Sequence, residues 1–492
     1  MAAPATFAKL HSEAGWLPAA LGIVGAITLL RILVLGFDNR DLFVDEAQYW
    51  LWGQHLELGY YSKPPLIAWA IAAFTTLGGS DAPFWVRLPG PLCHAATALI
   101  LAALAARHAG RRAALWTALA YITLPMVGLG SLVISTDTIM APFFAAALLF
   151  HDRLLAEGRA RDAILTGLMI GLACLAKYAG LYVLVGIGLS ALLDRRLRPT
   201  AVNGALILVC LLAVLSPNLV WNALNHGETL SHTADNIGWV RQSSPFAGFG
   251  LDGLLEFLGS QFGVFGPGLM IALILALIHG LRRSGKTGAA TPAPAQLAYF
   301  VWPILLIVSL QALMDKAYAN WAAGAYLAGT LIALSVLAAA PRLRTIAIGI
   351  NAGACLVLLA MTVMPGAGLA GNAFTARYLG RAAMSETLIN LARREGAVAI
   401  VSDNRDILAD LFYTGRQTTD IAFYARLSEA GVRNHYELSY PLPAGIAGPV
   451  LLVTENPPAC AGRPLAIDTA GGAYARRNMA AYRTDAACAG RP

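Results

Sequence analysis

Residues 17–36, LPAALGIVGAITLLRILVLG, form an apolar run of the length that crosses a lipid bilayer. A helix needs about 20 mainly apolar residues to span the roughly 30 Å of hydrocarbon. No small-residue cleavage site follows this run, which indicates an anchor and not a removed signal peptide. Similar runs recur along the chain, and we predict about eleven membrane spans, at 17–36, 89–106, 113–130, 138–150, 163–177, 180–193, 201–221, 257–281, 297–314, 321–340 and 345–365.

The composition indicates that lipid is the solvent for most of this 492-residue chain. Hydrophobic residues make up 57% and charged residues 13%, and the mean hydropathy is +0.61. Both fractions lie far from those of soluble domains. The formal charge of +7 does not indicate a nucleic-acid partner, because the basic residues occur as short clusters between apolar runs and form no single basic face.

These basic clusters lie in alternate loops and set the predicted orientation. They are Arg107, Arg111 and Arg112; Arg153, Arg159 and Arg161; Arg195, Arg196 and Arg198; Arg282, Arg283 and Lys286; and Arg342 and Arg344. Cytoplasmic loops collect Lys and Arg, so this side faces the cytoplasm. We therefore expect a multi-pass protein of the inner membrane, with a cytoplasmic N-terminus and a periplasmic segment after residue 365.

The last part of the chain predicts a small α/β domain. Residues 375–396 and 404–416 have helical periodicity, whereas AVAIVSD (397–403) and PVLLVTE (449–455) are typical of strands. The predicted fold class is an all-α polytopic membrane domain, residues 1–365, followed by a periplasmic α/β domain, residues 366–492. An oxidising compartment permits a disulfide between Cys460 and Cys488, but spacing alone leaves two free thiols equally open.

Two predicted outer loops, 37–88 and 222–256, are too long to be simple turns. The first contains VDEAQYWLWGQHLELG (44–59) and LIAWAIAAFTTLG (66–78), which we expect to form helices along the membrane interface. Aromatic residues prefer the headgroup level of a bilayer. We therefore expect an aromatic belt in this loop, made of Trp50, Trp52, Tyr60, Tyr61 and Trp69.

Ionisable residues at membrane depth are costly to retain, which makes each one a functional candidate. The predicted topology places six of them near the outer face: Asp45, Glu46, Lys63, Asp137, Lys177 and Lys316. A simpler interpretation is available for several. Asp45 and Asp137 have the spacing of helix N-caps, Asp45 with Gln48 as its partner, and a lone lysine near headgroups often extends to lipid phosphate.

Metal and nucleotide sites find little support in the sequence. His226 has no second histidine or cysteine pair at a zinc-binding spacing, and in its simplest interpretation it is an exposed loop residue. There is no Asp-x-Asp outside the membrane to hold a metal on a sugar nucleotide, and the C-terminal domain lacks a glycine-rich phosphate loop.

Six segments, in this order, resemble the bacterial members of the glycosyltransferase C superfamily. That superfamily includes the protein O-mannosyltransferases and the aminoarabinose transferase of lipid A. The segments are VDEAQYWLW (44–52), GYYSKPPLIAW (59–69), STDTIMAPF (135–143), LAKYAG (175–180), SPNLVWNALNHGE (216–228) and KAYANWAAGAY (316–326). The resemblance implies an inverting transferase that moves a sugar from a polyprenyl phosphate to an acceptor in the periplasm.

The resemblance also implies roles for particular residues. Asp45 is the expected general base, Glu46 completes the paired acid motif, and Asp137 is a second acid that orients substrate. Lys63 is expected at the donor phosphate, with Tyr60 nearby and Lys177 as a second cation. Further substrate-binding candidates are Tyr61, Asn222, His226, Tyr318 and Asn320. Position 62 is Ser where related enzymes can carry an acidic residue, so a divalent cation remains open.

Two questions remain open at this point. The acceptor could be lipid A, another glycan, a lipid or a protein. A carrier that flips a lipid-linked sugar would share the hydrophobicity, but transporters tend to have matching halves and broken helices at the bilayer midplane. The chain shows no such halves and its charges gather at one face, which favours an enzyme.

Overall fold

The computed structural model describes residues 14–229, 231–232, 249–284, 296–364, 373–428, 431–467, 471–475 and 477–490. Residues 230 and 233–248 of the predicted outer loop 222–256 therefore lie outside the described residues. The chain divides into two compact units. The helical unit is Met1–Phe37, Lys63–Ala70 and Arg87–Ala360, and the α/β unit is Asp38–Ser62, Ile71–Val86 and Met361–Pro492. The domain boundary near residue 365 stays a prediction.

The helical unit consists mainly of apolar helices. Their bounds are Leu17–Gly36, Pro89–Ile122, Pro125–Gly130, Thr136–Glu157, Ala160–Ala176, Leu181–Leu193, Ala201–Leu224, Leu251–Phe265, Pro267–Ser284, Trp302–Met314, Ala325–Leu337 and Pro341–Val363. Among the described residues, six helices are long and apolar enough to cross a membrane, or seven if one bent pair counts as a span. The number of about eleven spans stays a prediction, because several of the remaining apolar helices have only 10–17 residues.

Glycines divide two of the longer apolar stretches. Gly110, at φ 71°, interrupts the helix Pro89–Ile122 between the predicted spans 89–106 and 113–130. The predicted span at 257–281 is not one straight helix, because helices end at Phe265 and restart at Pro267 with a bend of 114° at Gly266. Gly266 has φ 88°, and a Cβ atom there would lie 1.8 Å from Oδ1 of Asn351. Only glycine adopts this conformation in the available space.

Arg31 is a buried charged residue of the helical unit that was not predicted to have a structural role. Arg31 lies within the first apolar helix and is only 1% exposed. Its guanidinium donates hydrogen bonds to the carbonyl oxygen of Ile122 at 2.6 Å and to Oγ of Ser131 at 3.0 Å. Both acceptors lie at the carboxyl ends of helices, where the helix dipole favours a cation. Arg31 therefore stabilises the packing of helix ends and is not available to a substrate.

The α/β unit contains the helices Val44–Gln54 and Pro83–Arg87 and the C-terminal segment, which has helices Arg381–Arg394, Arg405–Thr414, His435–Ser439 and Ala486–Ala489. Its sheet has strands β1 (Ala399–Ser402), β2 (Ala422–Ala425), β3 (Pro449–Thr454) and β4 (Ala480–Asp485) in the order β2-β1-β3-β4. Strand β1 is parallel to β2 and β3, and β4 is antiparallel to β3.

Apolar residues cover both faces of this sheet. Ile400 and Leu451 pack with Leu388 and Leu411 on one face, and Val401 is in the cluster on the other face. This explains why the buried strands β1 and β3, which have continuous apolar sequences, were predicted, whereas the partly buried β2 and the polar β4 were not. Cys460 and Cys488 form a disulfide with a Cα–Cα distance of 5.9 Å.

Candidate active site

Asp45 stands at the start of the helix Val44–Gln54, but it does not cap it. The N-cap is Phe43, and the side chain that reaches back to the backbone N–H of Phe43 is Glu46, at 2.9 Å. The prediction that Asp45 and Gln48 form a capping box is therefore wrong. Glu46 is fully buried, so its carboxylate fixes the helix start. That arrangement leaves the Asp45 carboxylate free of the backbone and 45% exposed.

Arg405 binds both residues that the capping prediction had paired. Its Nη2 donates to Oδ1 of Asp45 at 2.5 Å, and its Nε donates to Oε1 of Gln48 at 2.9 Å. Burial alone would lower the pKa of Arg405, but the Asp45 carboxylate raises it above its ordinary value. Arg405 is the first residue of the helix Arg405–Thr414, which is capped by Asn404. No sequence signal connects two residues 360 positions apart.

Most of the aromatic residues predicted for the headgroup belt are packed inside the α/β unit, whereas Trp69 belongs to the helical unit and is half-buried. Trp50, Trp52 and Tyr60 are at most 4% exposed, which makes that prediction wrong for them. Trp52 stacks on Tyr60 with ring centroids 4.7 Å apart, and the ring of His435 meets Trp52 edge-on at 5.6 Å. Tyr61 is also buried.

The hydroxyl of Tyr60 is occupied by backbone groups. It accepts from the N–H of Glu57 at 3.0 Å, and the carbonyl oxygens of Trp52 and His55 lie at 2.9 and 3.0 Å. Burial raises the pKa of Tyr60 to about 12. These contacts close the carboxyl end of the helix Val44–Gln54, so the structure gives Tyr60 a local supporting role.

In the helical unit, the structure brings together three of the predicted residues. The Lys177 ammonium lies 2.7 and 2.9 Å from the two carboxylate oxygens of Asp137, and Nδ2 of Asn320 donates to Oδ2 of Asp137 at 2.7 Å. The side chains of Asp137 and Lys177 are 15% and 20% exposed. We call these three residues the Asp137 cluster. The prediction that Asp137 caps its helix is wrong, because Ser135 is the N-cap and accepts from the N–H of Thr138.

The other predicted residues of the helical unit lie in separate surroundings. Asn222 is buried and donates to the Tyr178 hydroxyl at 3.2 Å. His226 is exposed and has a left-handed backbone with φ 54°. Tyr318 is 55% exposed, with the Lys316 ammonium 5.7 Å from its ring centroid. Lys63 is half-buried and precedes the helix Leu66–Gly78.

Metal ligands are not gathered at these positions. Within the part of the chain that the structure describes, no group of three or more His, Cys, Asp and Glu residues is placed to hold a metal ion. In each unit a carboxylate at a helix start is instead bound by a cation that is distant in sequence, Asp45 by Arg405 and Asp137 by Lys177. Apolar helices of spanning length together with these pairs define a multi-pass membrane protein.

Comparisons with known proteins identify the class. Residues 62–221 match the family described as dolichyl-phosphate-mannose-protein mannosyltransferase. The chain is 40% identical, over 474 residues, to the lipid A galacturonosyltransferase RgtD of Rhizobium johnstonii, covering 95% of this chain and 98% of that protein. The fold matches that of ArnT from Cupriavidus metallidurans. The crystal structures of ArnT in the apo state and bound to undecaprenyl phosphate both give a TM-score of 0.63, at 15% and 16% identity, covering 97% of this chain and 99% of theirs.

The chain therefore belongs to the family of the lipid A galacturonosyltransferase, within the glycosyltransferase C superfamily. It is a glycosyltransferase and a multi-pass protein of the inner membrane. The predictions of the superfamily, of the fold class and of an enzyme are confirmed, and the carrier alternative is set aside.

Proposed function

We propose that this enzyme transfers a galacturonosyl group from a polyprenyl phosphate to lipid A. The observation that supports this is the 40% identity to a lipid A galacturonosyltransferase over nearly the full length of both chains. Of the acceptors that the sequence left open, lipid A is the one named in that relative. A polyprenyl phosphate donor agrees with the undecaprenyl phosphate bound by a protein of the same fold.

Orientation is part of the proposal. With the basic turns in the cytoplasm, the starts of the helices Val44–Gln54 and Thr136–Glu157 face the periplasm, as does the α/β domain. Sugar nucleotides are not normally supplied there. A sugar already activated on a lipid phosphate therefore suits a transferase working on that side.

Asp45 is the proposed general base. It would accept the proton of the acceptor hydroxyl as that oxygen bonds to the anomeric carbon and the phosphate leaves from the opposite side. General base catalysis contributes roughly 10²–10⁴ in rate. Glu46 supports this geometry because its buried carboxylate fixes the first turn of the helix.

Lys63 is the proposed contact to the donor phosphate. Negative charge grows on that phosphate as its bond to the sugar breaks, and a positioned ammonium stabilises the transition state more than the ground state. Pro64 and Pro65 follow Lys63 and restrict the backbone that carries it. Lys177 stays the second candidate cation, and its ammonium is bound to the Asp137 carboxylate.

The Asp137 cluster is proposed to orient the sugar. A carboxylate bound by an ammonium and an amide has a fixed orientation, and its oxygens can accept hydrogen bonds from sugar hydroxyl groups. Tyr61, Asn222, His226 and Tyr318 remain candidates for binding the rest of the donor or the acceptor.

The test is an assay in detergent with the purified full chain, a polyprenyl-phosphate-linked galacturonate and lipid A. Detergent solution has no two compartments, so a glycosylated lipid A detected by mass spectrometry can come only from catalysis. Its absence at every acceptor concentration would refute the proposed substrates.

Variants in the same assay test the roles. We expect Asp45→Asn to lower kcat by roughly 10²–10⁴ and Lys63→Ala to lower kcat strongly as well. The matched control is Asp420→Asn, which breaks an exposed aspartate–arginine pair with Arg393 in the α/β unit and should keep normal turnover. Normal turnover by Asp45→Asn would remove it from the role of base.

A further inference from the structure

The guanidinium of Arg405 has more donors than the protein uses. It donates from Nε to Gln48 and from Nη2 to Asp45, and the described residues provide it with no further hydrogen-bond acceptor. A guanidinium carries five N–H donors in a fixed planar fork. The Arg405 side chain is 36% exposed, so a ligand can reach it.

The surroundings of Arg405 limit the chemistry of that ligand. The Asp45 carboxylate and the Gln48 amide occupy one edge of the planar guanidinium. The helix Arg405–Thr414 begins at Arg405 itself. The N-terminus of a helix favours negative charge, as does a guanidinium. A planar fork matches a carboxylate or a phosphate, which it can bind through two parallel hydrogen bonds.

We propose that Arg405 binds an oxyanion of the substrate and determines the selectivity of the enzyme for charged substrates. The inference rests on the proposed function, in which both substrates can carry such a group: the uronate carboxylate of the donor sugar, or a phosphate on the lipid A acceptor. In either case the anion lies beside Asp45, the proposed base.

The contact between Arg405 and Asp45 also has a role in the proposed mechanism. Without substrate, Arg405 compensates the charge of Asp45 and holds its carboxylate in one orientation. An oxyanion bound by the remaining donors of the same guanidinium is thereby held beside Asp45.

The experiment compares charged and uncharged substrates with the purified full chain in detergent. The donors are polyprenyl-phosphate galacturonate and its neutral galactose analogue, and the acceptors are phosphorylated and dephosphorylated lipid A. Arg405→Gln removes the charge, Arg405→Lys keeps it without the planar fork, and Arg393→Gln is the matched control from an exposed pair. The affinities of both donors and both acceptors are also measured by calorimetry, which does not depend on turnover.

We expect Arg405→Gln to lose roughly 10- to 100-fold more in kcat/KM for the charged substrate than for the uncharged one, mainly through KM, in addition to any loss in kcat that all substrates share through the contact to Asp45. Arg405→Lys should recover part of this loss, and Arg393→Gln should match the wild type. Loss confined to the galacturonate donor identifies the carboxylate as the bound group, and loss confined to phosphorylated lipid A identifies the phosphate.

Equal losses for all substrate combinations, with KM unchanged, would overturn the inference, because Arg405 would then act only on Asp45. The proposed function can fail separately. Should the wild type make no product, a weaker affinity of Arg405→Gln for the galacturonate donor, but not for its galactose analogue, would still support anion binding at Arg405. Unchanged affinity for both donors and both acceptors would refute it.

Discussion

The ion pair between Asp137 and Lys177 should contribute strongly to the free energy of unfolding of the helical unit. A double-mutant cycle can measure this contribution. The Asp137 and Lys177 side chains are joined by contacts of 2.7 and 2.9 Å and are only 15% and 20% exposed. Removing one partner of a buried pair leaves an uncompensated charge and typically costs about 3–5 kcal/mol. Removing both leaves no such charge.

We therefore expect Lys177→Gln to be destabilised by about 2–4 kcal/mol, slightly less than a fully buried pair would lose because solvent reaches part of both side chains. Asp137→Asn should lose a similar amount, because it leaves the ammonium without its anion while Asn320 keeps an amide partner. The double variant should be more stable than either single variant, which corresponds to a coupling free energy of about 2 kcal/mol or more.

The described cysteines provide a direct assay. Cys93, Cys174, Cys210 and Cys355 are free thiols that all belong to the helical unit, whereas Cys460 and Cys488 are joined in the disulfide of the α/β unit. A thiol-reactive dye therefore reports thermal unfolding of the helical unit alone. Losses that simply add in the double variant would refute the reasoning, because additivity means that the two side chains do not interact.

Three further predictions concern other parts of the chain. Gly266→Ala should destabilise the helical unit by about 2–4 kcal/mol in the same dye assay, because its Cβ would lie 1.8 Å from Asn351, whereas Gly263→Ala, with open space around it, should not. Tyr60→Phe should lower the free energy of unfolding by about 1–3 kcal/mol, because it leaves backbone groups unpaired, and should not change the KM for the donor. A raised KM would instead indicate that Tyr60 binds the donor. Burial, reinforced by Arg405, lowers the pKa of His435 to about 3, so the folded unit keeps it neutral while the unfolded chain protonates it below about 6.5. Stability should then fall as pH drops from about 6.5 towards 3, by up to about 1.4 kcal/mol per pH unit, and tryptophan-monitored unfolding of His435→Gln should lose this slope.

Much of the fold was predictable because it depends on local pattern. Apolar length and alternating basic turns gave the helices Leu17–Gly36 and Ala201–Leu224 within a few residues, and apolar runs gave β1 and β3. The break at Gly266 was not predictable, because its cause is a side chain from another helix, Asn351, that occupies the space where a Cβ would stand. A glycine within an apolar run does not by itself predict a helix break, because Gly263 lies inside a continuous helix with open space around it.

The contacts of the candidate site residues were likewise not predictable from local sequence pattern. Spacing identified Asp45 and Asp137 but assigned both to helix capping, and in both helices another side chain, Glu46 or Ser135, satisfies the backbone instead. Capping is a contact over three residues that spacing can suggest, whereas the partners that hold the two carboxylates lie 40 and 360 positions away. A carboxylate released from capping and bound by a distant cation is therefore a feature that only the three-dimensional structure can assign. It is also the feature that makes Arg405, which no motif contains, the residue whose substitution tells most about the substrate.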